Sequence, residues 1–160
     1  MTMSEFESKQ NTIKALLAEK HLDGLLLQRV SSFAWATCGA SSYVNTATTN
    51  GAASLLITPA GRYVITANIE ATRIKQEEKL EEQGWEMRAA PWYGPNPALA
   101  ELSRGLKLGS DGPYADAVDL AGEMARLRAI LLPEEVVRFR TLAACAPKRW
   151  TRRFGPSSRA

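Results

Sequence analysis

The sequence predicts an α/β fold, a single domain in which a mixed β-sheet is flanked by helices. Short apolar runs of strand length alternate along the chain with capped helical segments. The runs AASLLIT and RYVIT flank Pro59-Ala60-Gly61, which is the pattern of a β-hairpin. A length of 160 residues, of which 45% are hydrophobic, suits one globular core.

The first element is predicted to be a helix. Ser4 and Glu7 have the spacing of a capping box, and apolar residues recur at helical spacing as far as Lys20. His21 is the only histidine and falls at the end of this helix. A cation there favours the helix dipole, so we expect a capping role rather than a catalytic one.

The rest of the chain continues the alternation of helices and strands, with glycine and proline between them. The predicted elements are, in chain order, a strand at Leu25–Gln28, a helix at Ser31–Gly39 capped by Ser31, the hairpin, a long helix at Ile69–Gly84, a strand at Trp85–Ala90, a short helix at Ala98–Arg104, a strand at Leu106–Ser110, a helix at Val118–Ile130 and a helix that begins at Pro133.

Composition excludes several classes of protein. No apolar run is long enough to span a bilayer and no signal peptide is recognisable, so we expect no membrane association and a cytoplasmic location. Cys38 and Cys145 lack the spacing of metal ligands, and we expect buried or idle thiols in a reducing compartment. The net charge of +3 comes from the last 14 residues, which carry five cations and no acid, so we do not expect the domain itself to bind nucleic acid.

One segment is a candidate for contact with a ligand. Asn68, Glu70 and Arg73 follow the second hairpin strand and open a helix, at the edge of a sheet where ligands often bind. A structural role explains the same residues, with Asn68 as the helix cap and Glu70 at the positive end of the helix. By contrast LGSDG, at Leu108–Gly112, has neither the glycine spacing nor the lysine of a nucleotide site, and we interpret it as an ordinary turn.

Neither catalytic nor metal-binding residues are predicted in this chain. The single histidine has no obvious serine partner, and the carboxylates lie at solvated spacing on helix faces. Trp92 and Tyr93 belong to a proline-rich loop where burial is hard to arrange, so we predict that they form part of an interface.

The order of the segments is similar to a known module. The segments KHLDGLLLQ, SSFAWATCG, SLLITPAGRYVIT and NIEATRIKQEE are followed by a closing R-x-x-x-x-P-E-E element, Arg128, Pro133, Glu134 and Glu135. From about residue 12 to residue 144 the chain resembles the amino-terminal domain of the creatinase, prolidase and Xaa-Pro aminopeptidase family.

The resemblance implies a division of labour. In this family, two Asp, one His and two Glu of a second domain hold two divalent metal ions, such as Mn, which activate a water for hydrolysis of the Xaa-Pro bond. None of these ligands transfers to this chain, so no cofactor is expected in it and a peptide substrate only in a full-length form. The amino-terminal domain of the family shapes the pocket mouth and builds the dimer, so we expect a homodimer.

The carboxyl-terminal part of the sequence differs in character from the domain that precedes it. We expect the domain to cover residues 1–132, a helix leading to a missing catalytic domain to cover 133–146, and a disordered basic tail, begun by the helix breaker Pro147, to cover 147–160. Reverse translation of the tail in another frame permits an amphipathic helix, so we hypothesise a frameshift.

Exposed apolar residues of the helix that begins at Pro133, among them Val136 and Phe139, would then favour self-association. Two alternatives stay open. One is a stand-alone binding or assembly domain, and the other is a nucleic-acid-binding protein that uses the tail.

Overall fold

The computed structural model describes residues 4–45 and 47–154, and of residues 146–154 it describes the backbone only. The helices are α1 (Glu5–Lys20), α2 (Val30–Ala36), α3 (Asn68–Arg73), α4 (Pro97–Leu102), α5 (Ala121–Ala129) and α6 (Pro133–Phe154). The strands are β1 (Gly24–Arg29), β2 (Asn50–Thr58), β3 (Gly61–Ala67), β4 (Glu86–Ala90), β5 (Leu108–Ser110) and β6 (Val118–Asp119).

The strands form one mixed sheet in the order β4-β3-β2-β1-β5-β6. The central pairs β1–β2 and β2–β3 are antiparallel, and the latter is the predicted hairpin. The outer pairs β3–β4, β1–β5 and β5–β6 are parallel. The predicted α/β class with a mixed sheet and flanking helices is therefore confirmed.

Two apolar clusters cover the two faces of the sheet, because successive strand residues point to opposite sides. Leu25 and Leu27 of β1 belong to the larger cluster, together with Ile13 of α1 and Phe33 of α2. Leu26, between them, belongs to the smaller cluster, against which residues of α4 pack. Burial on both faces explains why β1 is an unbroken apolar run in the sequence.

Helix α1 begins and ends where the sequence predicts. The Ser4 hydroxyl accepts from the Glu7 amide at 3.2 Å, and the Glu7 carboxylate accepts from the Ser4 amide at 2.9 Å, which completes the capping box. His21 is the C-cap in a left-handed conformation, and its own backbone N–H bonds to the helix carbonyls. The capping position of His21 is thus confirmed, although the bonds come from its backbone.

The predicted long helix at Ile69–Gly84 is wrong as a single element. Helix α3 ends at Arg73, one wide turn follows at Ile74–Glu78, and Lys79 adopts a left-handed conformation with φ of 47°. Ile74 and Leu80 are both buried, yet residues six apart lie on different faces of a straight α-helix. The break at Lys79 lets both side chains reach the core.

Two other helix starts differ from the prediction. Helix α2 begins at Val30 without a side-chain cap, so Ser31 lies inside it. Helix α5 begins at Ala121, because Val118 and Asp119 pair with β5 instead. The pairing of β6 with β5 sets the start of α5, since tertiary contacts override local helix propensity.

The chain divides into two units, the first ending at Arg128 and the second beginning at Ala129. Within the second unit α6 continues to Phe154, so the expected interruption at Pro147 is wrong. A proline removes one backbone hydrogen bond and costs about 3 kcal/mol in a helix, but it does not forbid one. The rest of the predicted basic tail, residues 155–160, lies outside the described residues, and the predicted domain boundaries stay predictions.

Candidate functional site

The predicted ligand-facing residues Glu70 and Arg73 lie together at an open cleft of about 410 Å³. Arg73 donates through Nε to Glu70 Oε2 at 2.9 Å, and its Nη1 lies 3.6 Å from Glu77 Oε2. The hydrogen bond to Glu70 is the main cause that raises the pKa of Arg73 above its ordinary value. The lining residues are Ser41, Tyr43, Val44, Glu70, Arg73, Glu77 and Glu78. Three carboxylates around one guanidinium give this cleft a net negative charge.

Asn68 has a different place from the other two predicted residues. It does not cap α3, whose N-cap is Ala67, and it is not among the residues that line the cleft. Its Oδ1 instead accepts from the backbone amide of Trp92 at 3.2 Å. The predicted capping role is therefore wrong, and Asn68 fastens the proline-rich loop to the start of α3.

The proline-rich loop holds two exposed aromatic side chains in a defined arrangement. Trp92 is 64% exposed and Tyr93 is 77% exposed, and their rings meet edge to face with centroids 5.9 Å apart. Asn96 ties the end of the loop to the sheet, because its Nδ2 donates to the carbonyls of Thr66 and Arg88. An exposed aromatic pair on a loop held at both ends is typical of an interaction surface.

The structure also contains a buried charged cluster that the sequence did not reveal. Asp111 is fully buried at the end of β5, and its Oδ1 accepts from the backbone amides of Gln28 at 2.6 Å and Arg29 at 3.3 Å. Arg29 Nε donates in return to the Asp111 carbonyl at 2.6 Å. The turn LGSDG thus locks the ends of β1 and β5 together. The one signal in the sequence is an acidic residue directly after a buried strand.

Arg128 completes this cluster at the end of the first unit. Its Nη1 donates to the hydroxyl of buried Ser32 at 2.5 Å. Burial lowers the pKa of Arg128 from its ordinary value, and the Asp111 charge acts in the opposite direction. The first residue of the R-x-x-x-x-P-E-E element is therefore a structural contact between α5 and α2.

Within residues 4–45 and 47–154, His, Cys, Asp and Glu form no group of three or more arranged to hold an ion. Over the same residues, none of the helices combines the length and the apolar character needed to cross a membrane.

Several solved structures of peptidases have a domain similar in fold to this chain. The dipeptidase PepE from Mycobacterium ulcerans aligns with 82% of this chain at a TM-score of 0.59 and 15% identity. The prolidase from Pyrococcus horikoshii OT3 aligns with 81% at a TM-score of 0.58 and 16% identity. The N-terminal domain of the Xaa-Pro dipeptidase from Lactobacillus brevis aligns with 74% at a TM-score of 0.52 and 13% identity. The chain has the creatinase/prolidase N-terminal fold.

The alignments also show how much of each protein this fold accounts for. This chain covers 98% of the Lactobacillus brevis domain, but only 38% of the PepE chain and 37% of the Pyrococcus prolidase chain. No protein-family model matches the sequence, and no curated protein matches it. The resemblance drawn from the sequence is thus confirmed as a likeness of fold.

Proposed function

We propose that this chain is the non-catalytic N-terminal domain of a Xaa-Pro peptidase-like metallohydrolase of the creatinase/prolidase type. In that enzyme it shapes the mouth of the substrate pocket and contributes to dimerisation, and alone it is inactive. The observation that carries the proposal is the match to nearly the whole of a separately determined N-terminal domain and to less than two fifths of the PepE and prolidase chains.

Pocket shaping is assigned to the cleft around Glu70 and Arg73. The negative lining suits the positively charged amino terminus of a peptide, since opposite charges steer and orient a ligand. Asn68 supports this assignment indirectly, because its bond to the Trp92 amide holds the neighbouring loop against α3.

Dimerisation is assigned to exposed apolar side chains. Trp92 and Tyr93 supply one such surface in the first unit. In the second unit Phe139 is 57% exposed and Val136 is half-buried, on the same side of α6. Apolar groups of this size are typical of surfaces covered by another chain or domain.

The inactivity of the chain alone is tested with the purified protein. Incubation with Xaa-Pro dipeptides and added Mn²⁺ should release no proline, while a cooperative thermal transition shows that the domain is folded. Metal-dependent release of proline would overturn the proposal.

The dimer is tested by light scattering over a range of protein concentrations. We expect the mass of two chains, and a shift towards the monomer in the double variant Trp92→Ser/Tyr93→Ser or in Phe139→Ser. Val118→Ser, which changes an exposed apolar residue of β6, is the control that should leave the mass unchanged. A monomer mass at every concentration would contradict dimerisation.

A second candidate function is a stand-alone binding or assembly domain. The aromatic pair of the Pro91–Pro97 loop favours it, because a surface held at both ends is pre-organised for a partner whether or not a catalytic domain is attached. Sequencing of the gene downstream of Ala144 separates the two. An open frame with the Asp, Asp, His, Glu and Glu ligand set supports the N-terminal domain, and its absence supports the stand-alone domain.

A further inference from the structure

The two edges of the sheet differ in length. At one edge β6 has only two residues, Val118–Asp119. At the other edge β4 has five residues, Glu86–Ala90, which pair with β3 in one unbroken register. An edge strand that contains neither a bulge nor a proline presents a row of backbone groups on which another strand can pair. Of the two edges, β4 is therefore the one that suits such pairing.

The backbone groups of Met87 and Ala89 face away from the sheet. Asn96 Nδ2 donates to the carbonyls of both Thr66 on β3 and Arg88 on β4, so the Arg88 carbonyl points towards β3. Backbone groups alternate in direction along a strand, so those of Met87 and Ala89 point to the open side. Apart from the pairing with β3, these two backbones have no hydrogen-bond partner in the part of the chain that the structure describes. Ala89 is also exposed, so the edge is open to solvent.

The side chains of Glu86 and Arg88 give this edge an alternating charge on one face of the sheet, since residues two apart lie on the same face of a strand. Both side chains are exposed, and Arg88 Nη2 lies 2.6 Å from Glu86 Oε1. The Arg88 guanidinium carbon also lies 5.8 Å from the centre of the Tyr63 ring on β3. An acid and a base are thus held side by side along the open edge.

We propose that β4 pairs with β4 of a second copy of this chain, in antiparallel orientation about a two-fold axis at Met87. In that register Glu86 of each copy lies opposite Arg88 of the other, in the kind of pair that brings side chains closest, which gives two cross-strand contacts of opposite charge. The outward amide and carbonyl of Met87 bond to those of Met87 in the other copy. This inference rests on the dimer of the proposed function and adds to it the strand that pairs.

The charges select this register over its neighbours. An axis moved by one residue to Arg88 places the two Arg88 side chains opposite each other, and an axis at Glu86 does the same with two carboxylates. Like charges directly opposite each other destabilise a strand pair. The axis at Met87 is the one that faces each acid with a base, so the edge is complementary to itself.

The position of β4 in the chain also fits a closed dimer. Each copy has one such edge, and a two-fold pair uses it completely, so assembly ends at two copies. The Pro91–Pro97 loop follows β4 directly, so a second copy at this edge also approaches the exposed side chains of Trp92 and Tyr93. Strand pairing and aromatic contacts then belong to one continuous interface.

The proposal is tested by amide hydrogen exchange of the full chain, followed by NMR over a range of concentrations. The amides of Met87 and Ala89 should exchange more slowly where light scattering gives the mass of two chains than after dilution to the monomer. The amide of Arg88 is the internal control, because its backbone points towards β3 and its exchange should not depend on concentration. Fast exchange of Met87 and Ala89 in a sample of dimer mass overturns the edge pairing but leaves the dimer of the proposed function. A monomer mass at every concentration overturns both.

Charge reversal tests the register. Glu86→Arg places two cations opposite each other at both contacts, and Arg88→Glu does the same with two carboxylates, so each should raise the Kd of the dimer by about tenfold. An equimolar mixture of the two variants should recover the wild-type Kd, because opposite charges again face each other at both contacts. Both positions are exposed, so the fold tolerates the changes.

Glu19→Arg is the matched control for the change of net charge. Glu19 lies at an exposed position of α1, and the variant should change the Kd of the dimer less than twofold. An equal loss in Glu19→Arg would mean that net charge, and not the contact at β4, weakens association. That result, or a mixture that stays as weak as the separate variants, contradicts the pairing about Met87.

Discussion

Two charged clusters of the first unit are built in opposite ways. Asp111 is fully buried and binds backbone amides 83 and 82 residues away. Glu70, Arg73 and Glu77 lie within two helical turns of one another and remain partly open to solvent. The first cluster holds two strands together, while the second leaves its charges available at a cleft. We therefore expect the first to govern stability and the second to govern what the surface attracts.

The largest expected loss of stability is that caused by Asp111→Ala. Loss of the carboxylate leaves the amides of Gln28 and Arg29 without their acceptor and Arg128 without a nearby opposite charge, so the free energy of unfolding should fall by about 3 kcal/mol. Urea unfolding measures this value. Asp111→Asn keeps an acceptor at Oδ1 and should fall between the wild type and Asp111→Ala. A loss below about 1 kcal/mol in Asp111→Ala would show that the cluster around Asp111 contributes little to the stability of the fold.

The ion pair of Lys9 and Glu5 is close in sequence yet buried, so it separates the effect of burial from the effect of distance along the chain. Lys9 and Glu5 are neighbours on α1, 2.7 Å apart, yet their side chains are only 1% and 11% exposed, and the Lys9 ammonium lies 5.4 Å from the Trp35 ring centre. Glu5→Gln leaves a buried ammonium beside a neutral partner and should lower the free energy of unfolding by about 2 kcal/mol. Urea unfolding measures this loss. A loss as small as that typical of an exposed ion pair would mean that distance along the chain, rather than burial, sets how strongly a charged cluster stabilises the fold.

Local sequence patterns predict much of the fold. The predictions are wrong where contacts between distant residues set the end of an element. The capping box at Ser4 and the hairpin at Pro59-Ala60 involve residues a few positions apart, so spacing alone predicted them. The break at Lys79 arises because Ile74 and Leu80 must both reach the core, which helical propensity does not encode.

The same reason explains the outcome at the candidate sites. Glu70 and Arg73 follow the second hairpin strand and open a predicted helix, so the sequence predicts that they lie together at the edge of the sheet, and the structure brings them together. The sequence predicts only an ordinary turn at Asp111, because the backbone amides that it binds lie more than 80 residues away along the chain.

A smaller loss of stability is expected at the partly exposed cluster around Arg73. Glu70→Gln weakens the contact with Arg73, whose side chain is 29% exposed, and should lower the free energy of unfolding by about 0.5 kcal/mol. The loss should shrink as salt is added, because exposed ion pairs are screened. Urea unfolding at low and high ionic strength measures both. A loss of stability as large as that of Asp111→Ala would contradict the inference that only the buried cluster governs stability.

The smallest expected effect on stability is a pH dependence at the partly exposed pair of Glu123 on α5 and Lys20 on α1, whose closest N and O atoms are 3.4 Å apart. The pKa of Glu123 is lowered first by a hydrogen bond from the backbone amide of Glu123 and then by the hydrogen bond with Lys20. A lowered folded pKa stabilises the protein above the unfolded value of about 4.3, and this contribution is lost as the pH falls through the folded pKa. The difference in thermal midpoint between wild type and Glu123→Gln should therefore vanish on acidification, whereas Glu101→Gln, at an exposed position of α4, should show no such trend. A difference that persists at low pH would mean that Glu123 acts through packing rather than charge.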